Sequence, residues 1–407
     1  MNDFVIEHIS KIENPLAELV DIANSLRKNG HKILSLSVGD PVNYVKTPDF
    51  IIEKYIEALK LGRTFYESWG GNKKLKEAVS KRYNDLYKVN YNTEDVIITQ
   101  GVSEALQFTN TSLLSKGDTA LIISPFFTQY LPNIIMEGAT PIFANHEFSN
   151  NWDINTESLI QTIKNSGKNK PKYILVTNPN NPTGTVPSEK SLKEVVEIAK
   201  NNDIFLISDE IYDELLFNDA KFTSVSQVAK GVPHMILNGA SKNLFATGFR
   251  IGFSIIPESD KKSLALKNAI SMLCNSRLSA NTPAEYAITE GISNTKKRTE
   301  VLKEVLKRIE KTSNLAYDLI KESEYLEVVK PNSAFYIFPR IKLNKLNIHT
   351  DKEFTELLLR EQHLEILRGS GFGMDGFIRL VTLPEEDVIK EAFSRIEKFC
   401  NFHKKNK

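Results

Sequence analysis

The sequence predicts an α/β protein: a large domain carrying a mostly parallel, seven-stranded sheet, followed by a smaller α+β domain. Two patterns lead there. Between residues 96 and 256, short apolar runs rich in β-branched residues alternate with amphipathic helical stretches. Such alternation builds βαβ units whose sheet is covered on both faces. After residue 257 the pattern changes to long charged helices and brief strands.

In chain order, a helix is expected near residues 15–29, leaning on the smaller domain or on a partner subunit. The strands follow at 96–99, 120–124, 140–144, 173–177, 204–208, 234–238 and 252–256, each a run such as Val-Ile-Ile or Ile-Leu-Val. Helical periodicity occupies 103–115, 128–137, 157–165 and 188–201 between them. The run at 252–256 follows its predecessor after only a loop, so it is expected to run against the others. Residues 257–273 and 283–322 read as long charged helices. Strands near 325–329, 335–339, 364–367 and 377–381 and a helix at 352–362 complete the smaller domain. The divisions are an N-terminal arm at 1–45, the large domain at 46–285 and the small domain at 286–407. No internal repeat or low-complexity linker interrupts them.

Composition narrows the function. The chain has 407 residues, 52 Lys plus Arg against 51 Asp plus Glu, and a net charge of +1. That balance gives no electrostatic case for nucleic acid or an acidic partner, and the basic end Lys404-Lys405-Asn406-Lys407 reads as a solvated tail. The two cysteines, Cys274 and Cys400, suit a reducing compartment and exclude a disulfide framework. Met1 to Glu13 has no apolar core of a signal peptide, and no stretch approaches the roughly 18 apolar residues of a membrane span. Seven histidines are dispersed without metal-ligand spacing. A cytoplasmic protein without a metal is expected.

Four polar clusters immediately follow predicted strands, and ligands of open parallel sheets sit beyond the carboxyl ends of the strands. After 96–99 comes Gln100-Gly101-Val102-Ser103-Glu104, where a hydroxyl and backbone N–H groups at a helix start suit a phosphate; an N-cap by Ser103 reads from the same residues. After 173–177 comes Asn178-Pro179-Asn180-Asn181-Pro182-Thr183-Gly184, a stiff turn in which Asn181 is placed to donate a hydrogen bond, though a plain loop accounts for it as well. After 204–208 comes Asp209-Glu210-Ile211-Tyr212. A carboxylate at the end of a buried strand is costly without a cationic partner, and the protonated ring nitrogen of pyridoxal phosphate is one such partner. A helix cap by Asp209 is the alternative. After 234–238 comes Gly239-Ala240-Ser241-Lys242, leading to Arg250. Lys242 is an amine suited to a Schiff base with an aldehyde cofactor, with Ser241 and Arg250 able to hold its phosphate.

Together these segments resemble the class I/II aminotransferases, pyridoxal-phosphate enzymes of fold type I. The resemblance runs from residue 34 to the C-terminus and is specific in the combination of 178–184, 209–212 and 241–250. It implies that Val102 and Ser103 bind the cofactor's phosphate, that Phe127 stacks on its ring, and that Asn181 and Tyr212 reach its phenolic oxygen. It also implies that Asp209 holds the ring nitrogen, and that Tyr66 reaches the phosphate in a partner subunit, hence a homodimer. Gly39 and Arg379 would receive the substrate carboxylate, Arg379 through two parallel hydrogen bonds.

Within the family the likeness is closest to the alanine aminotransferase branch, through Gly39-Asp40-Pro41-Val42, Asn281-Thr282-Pro283-Ala284, Ala334 to Pro339 and Gly369 to Gly373. Phe249 departs from the Trp or Tyr common at that position. Ser103 stands where one aspartate-using branch carries lysine, which argues against a dedicated aspartate enzyme. The expected reaction is L-alanine plus 2-oxoglutarate giving pyruvate plus L-glutamate, with aspartate or aromatic transamination or carbon–sulfur lysis as rivals. A cofactor-sensing regulator is disfavoured because the family-like region begins near residue 34.

Overall fold

The computed structural model describes residues 6–12 and 17–405. Its centre is an eight-stranded sheet of β1 (Val96–Thr99), β2 (Thr119–Ser124), β3 (Thr140–Glu147), β4 (Asp153–Ile154), β5 (Tyr173–Thr177), β6 (Phe205–Asp209), β7 (His234–Gly239) and β8 (Gly252–Ile255). The spatial order is β1-β8-β7-β6-β5-β2-β3-β4. All seven expected strands form, with ends shifted by a few residues at most. The eighth, β4, is a two-residue strand that folds back antiparallel on β3 and was too short to leave a periodic signal. β8 runs against both its neighbours, as expected from its short connection.

Burial follows the period of two. Leu121, Ile174, Leu206 and Ile236 point into one apolar cluster, while Ile122, Leu175, Ile207 and Met235 point into another on the opposite face. The helices Lys73–Tyr87, Glu189–Asn202 and Thr282–Ser293 cover the first face, and Gly101–Leu113 and Lys261–Arg277 the second. Of these, the helix at 73–87 was not anticipated; its charged composition, KKLKEAVSKRYNDLY, masks an apolar stripe of Leu75, Val79 and Tyr83.

The remaining elements enclose a further core of residues 302–400 with Leu36 and parts of 211–217. Its long helix does not run unbroken over 283–322. Asn294 (φ −82°, ψ 70°) separates Thr282–Ser293 from Thr295–Glu322, and its side chain accepts a bond from the Lys297 N–H to cap the second helix. Asn competes with the helical backbone in this way, which periodicity alone does not register. The N-terminal helix is Ala17–Lys28; residues 15 and 16 of the expected helix lie outside the described residues. It docks through Leu19, Ile22 and Ala23 beside Leu359, Leu367 and Phe372. Among the described residues no helix is long and apolar enough to cross a membrane.

One buried carboxylate ties the site-bearing segments to a covering helix. Asp213 accepts from Arg82 at 2.6 Å and from Tyr87 at 2.6 Å, both on the 73–87 helix, and from Asn243 beside Lys242. Arg82 also reaches Glu214 at 2.8 Å. Removing one member of a buried pair strands the other charge. Arg82→Met is therefore expected to lower the unfolding free energy of the cofactor-free protein by about 3–5 kcal/mol, read from urea denaturation. A loss below about 1 kcal/mol would mean that the pair behaves as a solvated one.

Candidate active site

The carboxyl ends of the parallel strands open into one cavity of about 530 Å³. The connectivity explains its place. From β2 the chain moves outward to β3 and β4, then returns to β5 and proceeds the other way through β6 and β7. The crevice where the order reverses is where open α/β sheets bind ligands. Of the residues singled out from sequence, Gly39, Val102, Ser103, Phe127, Asn181, Asp209, Tyr212, Ser241, Lys242, Arg250 and Arg379 all line this cavity. Tyr66 does not. Its side chain is 78% exposed, on the loop after the Asp49–Lys60 helix.

Asp209 ends β6 and is buried. Its carboxylate accepts from the Tyr130 hydroxyl at 2.8 Å and the Ile211 N–H at 3.3 Å, and it forms no ion pair among the described residues. Burial pushes its pKa up to about 6, against the lowering effect of those two hydrogen bonds and of Lys242. Tyr130, itself buried, also meets Thr177 at 3.0 Å. Sequence reasoning missed Tyr130, because an aromatic at the start of a helix reads as core; its position three residues after Phe127 was the available signal.

Lys242 lies in the short helix Ala240–Asn243 directly after β7, and its Nζ donates to the Gly39 carbonyl at 2.7 Å. Burial lowers its pKa to about 8, with Asp40 opposing and Arg379 and Arg250 reinforcing the shift. Arg379 is buried and donates to Asn181 Oδ1 at 3.2 Å and to the Ser37 carbonyl. Among the described residues its buried Nε–H has no acceptor, and its guanidinium lies 4.8 Å from the ring centroids of both Tyr336 and Phe372. Asn181 thereby spends its carbonyl oxygen on Arg379 and keeps its amide hydrogens.

At the far end, Gly101 (φ +74°) opens the Gly101–Leu113 helix, and a Cβ there would fall 2.3 Å from the Arg250 guanidinium. Only glycine lets the arginine lie against this turn. Arg250 is anchored by the Thr247 carbonyl at 2.9 Å, and the hydroxyls of Ser103 and Ser241 line the same cavity.

The model of the family described as "Aminotransferase class I and II" matches residues 31–396. The chain belongs to that family. It is 31% identical over 379 residues to the glutamate-pyruvate aminotransferase AlaA of Haemophilus influenzae, covering 92% of each chain. It is 30% identical over 387 residues to a probable aspartate/prephenate aminotransferase of Aquifex aeolicus, covering 95% of each. Among solved structures, the alanine aminotransferase from Pyrococcus furiosus superposes with a TM-score of 0.93 at 32% identity, over 98% of this chain and 100% of that one. The protein is thus an aminotransferase of fold type I that uses pyridoxal phosphate and acts on amino acids and 2-oxo acids.

The residues present fit that cofactor. The cavity has a buried carboxylate lacking a cation, an amine of lowered pKa, and hydroxyls and a guanidinium grouped at a helix N-terminus. A neutral amine is the reactive form, and its fraction grows as pH rises through the pKa. In cofactor-free protein, acylation of Lys242 followed by peptide mass spectrometry should reach half its maximal rate near pH 8. Ordinary surface lysines titrate near 10.4; a midpoint there would mean that water solvates the amine fully.

Proposed function

We propose that the protein transfers the amino group of L-alanine to 2-oxoglutarate, giving pyruvate and L-glutamate. The observation that carries this is the charge of the cavity. Among its described lining residues the only cations are Lys242, Arg250 and Arg379, and each already has a task. The wall beyond them is formed by Leu19, Val20, Val38, Leu367 and Phe372, with Glu365 as an anion. A methyl side chain suits that wall, whereas the β-carboxylate of aspartate would meet no free cation among the described lining residues. Gln129 and Asn133 line the same cavity, and their side-chain amides are the proposed partners of the longer acid's distal carboxylate. The names of the Haemophilus and Pyrococcus relatives support this reading, and that of the Aquifex relative supplies the rival.

When bound, pyridoxal phosphate supplies an aldehyde carbon that takes up an amine and a ring that withdraws electrons from the amino acid's Cα. In the proposed scheme Val102, Ser103, Ser241 and Arg250 hold its phosphate, and Phe127 packs on its ring. Asn181 and Tyr212 donate to its phenolic oxygen, and Asp209 keeps its ring nitrogen protonated. Arg379 receives the substrate carboxylate beside Gly39, with the unpaired Nε–H available as one of two parallel donors. Nζ of Lys242 then takes the α-proton and returns it on the other side of the transferred nitrogen. Burial, which lowers the pKa of the free amine to about 8, favours the neutral form that this step needs.

We also propose a cytoplasmic homodimer. Leu61, Phe65, Tyr66 and Trp69 expose apolar surface, as do Met272 and Leu278, and Thr282 ties the first loop to the 278–282 turn through the Phe65 carbonyl at 2.8 Å. Exposed apolar side chains grouped in this way suit a protein partner, and a second copy would bring Tyr66 to the neighbouring cavity.

Two measurements test the reading. Lys242→Ala should fold yet lose turnover, by more than about 1,000-fold in kcat; wild-type rates would remove the lysine from the chemistry. A panel of amino-acid donors against 2-oxoglutarate and pyruvate should give alanine a kcat/KM at least about 10-fold above aspartate and phenylalanine. Release of pyruvate and ammonia from cystathionine without an oxo-acid acceptor would instead establish the lyase.

A further inference from the structure

Tyr336 is the residue through which the substrate-carboxylate side and the cofactor side of the cavity touch. It sits in the two-residue strand Tyr336–Ile337, antiparallel to Ile378–Val381, with Tyr336 opposite Val381 and Ile337 opposite Leu380. Arg379 is two residues from Val381, so it shares Tyr336's face as a diagonal neighbour. The contact is made: the Arg379 guanidinium lies 4.8 Å from the Tyr336 ring centroid, with Phe372 on it at the same distance. An arginine held between two rings loses little further freedom when it binds a carboxylate.

The hydroxyl faces the other way. Tyr336 Oη lies 2.9 Å from Tyr212 Oη, with the two rings nearly perpendicular. A Cβ on Gly39 would come within 2.3 Å of the same hydroxyl, and the Gly39 carbonyl receives the Lys242 amine. Tyr336 is only 2% exposed, so its hydroxyl needs a partner, and Tyr212 is that partner. Its backbone is fixed too, because Gly184 (φ +69°) closes the Asn-Pro turn against the Tyr336 carbonyl, where a Cβ would sit at 2.2 Å.

We propose that Tyr336 is a positioning residue for transamination: its ring orients Arg379 toward the substrate carboxylate, and its hydroxyl fixes the Tyr212 phenol toward the cofactor. This rests on the roles assigned above to Arg379 and Tyr212. The two halves of Tyr336 act on different kinetic parameters. Losing the hydroxyl loosens Tyr212 and leaves the carboxylate clamp intact; losing the ring also releases the clamp.

The test uses holoenzyme carrying Tyr336→Phe, Tyr336→Leu or, as reference, Tyr212→Phe. It reads steady-state kinetics and the pH midpoint of the visible absorbance of the lysine-linked cofactor. A hydrogen bond to the cofactor's phenolate favours the deprotonated form, so weakening it raises the midpoint. Tyr336→Phe is expected to raise the midpoint in the same direction as Tyr212→Phe but by less. It should lower kcat about 10-fold while changing the KM for alanine less than about 2-fold. Tyr336→Leu is expected to raise that KM about 10-fold or more in addition; should it fail to fold, the Phe variant, which keeps the ring, decides the matter. A midpoint that moves in Tyr212→Phe but not in Tyr336→Phe overturns the proposal while leaving the roles of Lys242 and Tyr212 standing. A midpoint unmoved in both overturns the assignment of Tyr212 and the proposal with it. Equal losses in kcat and KM for Phe and Leu would reduce Tyr336 to core filling and also overturn it.

Discussion

The site is organised around a buried anion without a cation. Asp209 ends a central strand with two hydrogen bonds and, among the described residues, no ion pair, and burial favours its neutral form. Such a group is unfavourable in a folded core unless something later supplies the missing charge. In the proposed scheme a protonated ring nitrogen would do so, which would give the cost its reason in a family that uses pyridoxal phosphate. Tyr130, itself hydrogen-bonded to Thr177, donates to one carboxylate oxygen, while the other accepts from the Ile211 N–H at the start of the next segment.

Around that anion the fold sets groups that need opposite surroundings. In its proposed role Lys242 is neutral part of the time, and burial lowers its pKa. Arg379 is buried, and two rings, Asn181 and the Ser37 carbonyl surround its guanidinium in place of water. Ser103 and Arg250, proposed to hold the phosphate, are both exposed. A second buried carboxylate, Asp213, joins the segment carrying Asp209 and Tyr212 to the residue after Lys242 and to a helix on the sheet. The distances within the cavity therefore depend on packing well away from it.

Much of this was legible in advance. Strong β-branched runs gave every long strand, and polar clusters just past their ends gave Ser103, Asn181, Asp209 and Lys242, because strand ends of a parallel sheet face one crevice. Elements without periodicity were lost. The two-residue β4 has too few side chains to alternate, and the break at Asn294 depends on a capping bond. Tyr130 and Tyr336 were not singled out, since a buried tyrosine and a core phenylalanine look alike until the hydroxyl's partner is known.

Sequence by itself determined the alternating architecture, the family and the chemical types gathered at the strand ends, since these follow from local patterning and from motifs contiguous in the chain. Tertiary structure alone decided which groups meet: Arg379 with Asn181, Tyr336 with Tyr212, Asp213 with Asn243, and the N-terminal helix with the cavity wall. The first three pairs lie 198, 124 and 30 residues apart, and the N-terminal helix meets residues still farther along the chain. Burial, which sets the pKa values of Asp209 and Lys242, is likewise a property of the packed chain and of no single segment.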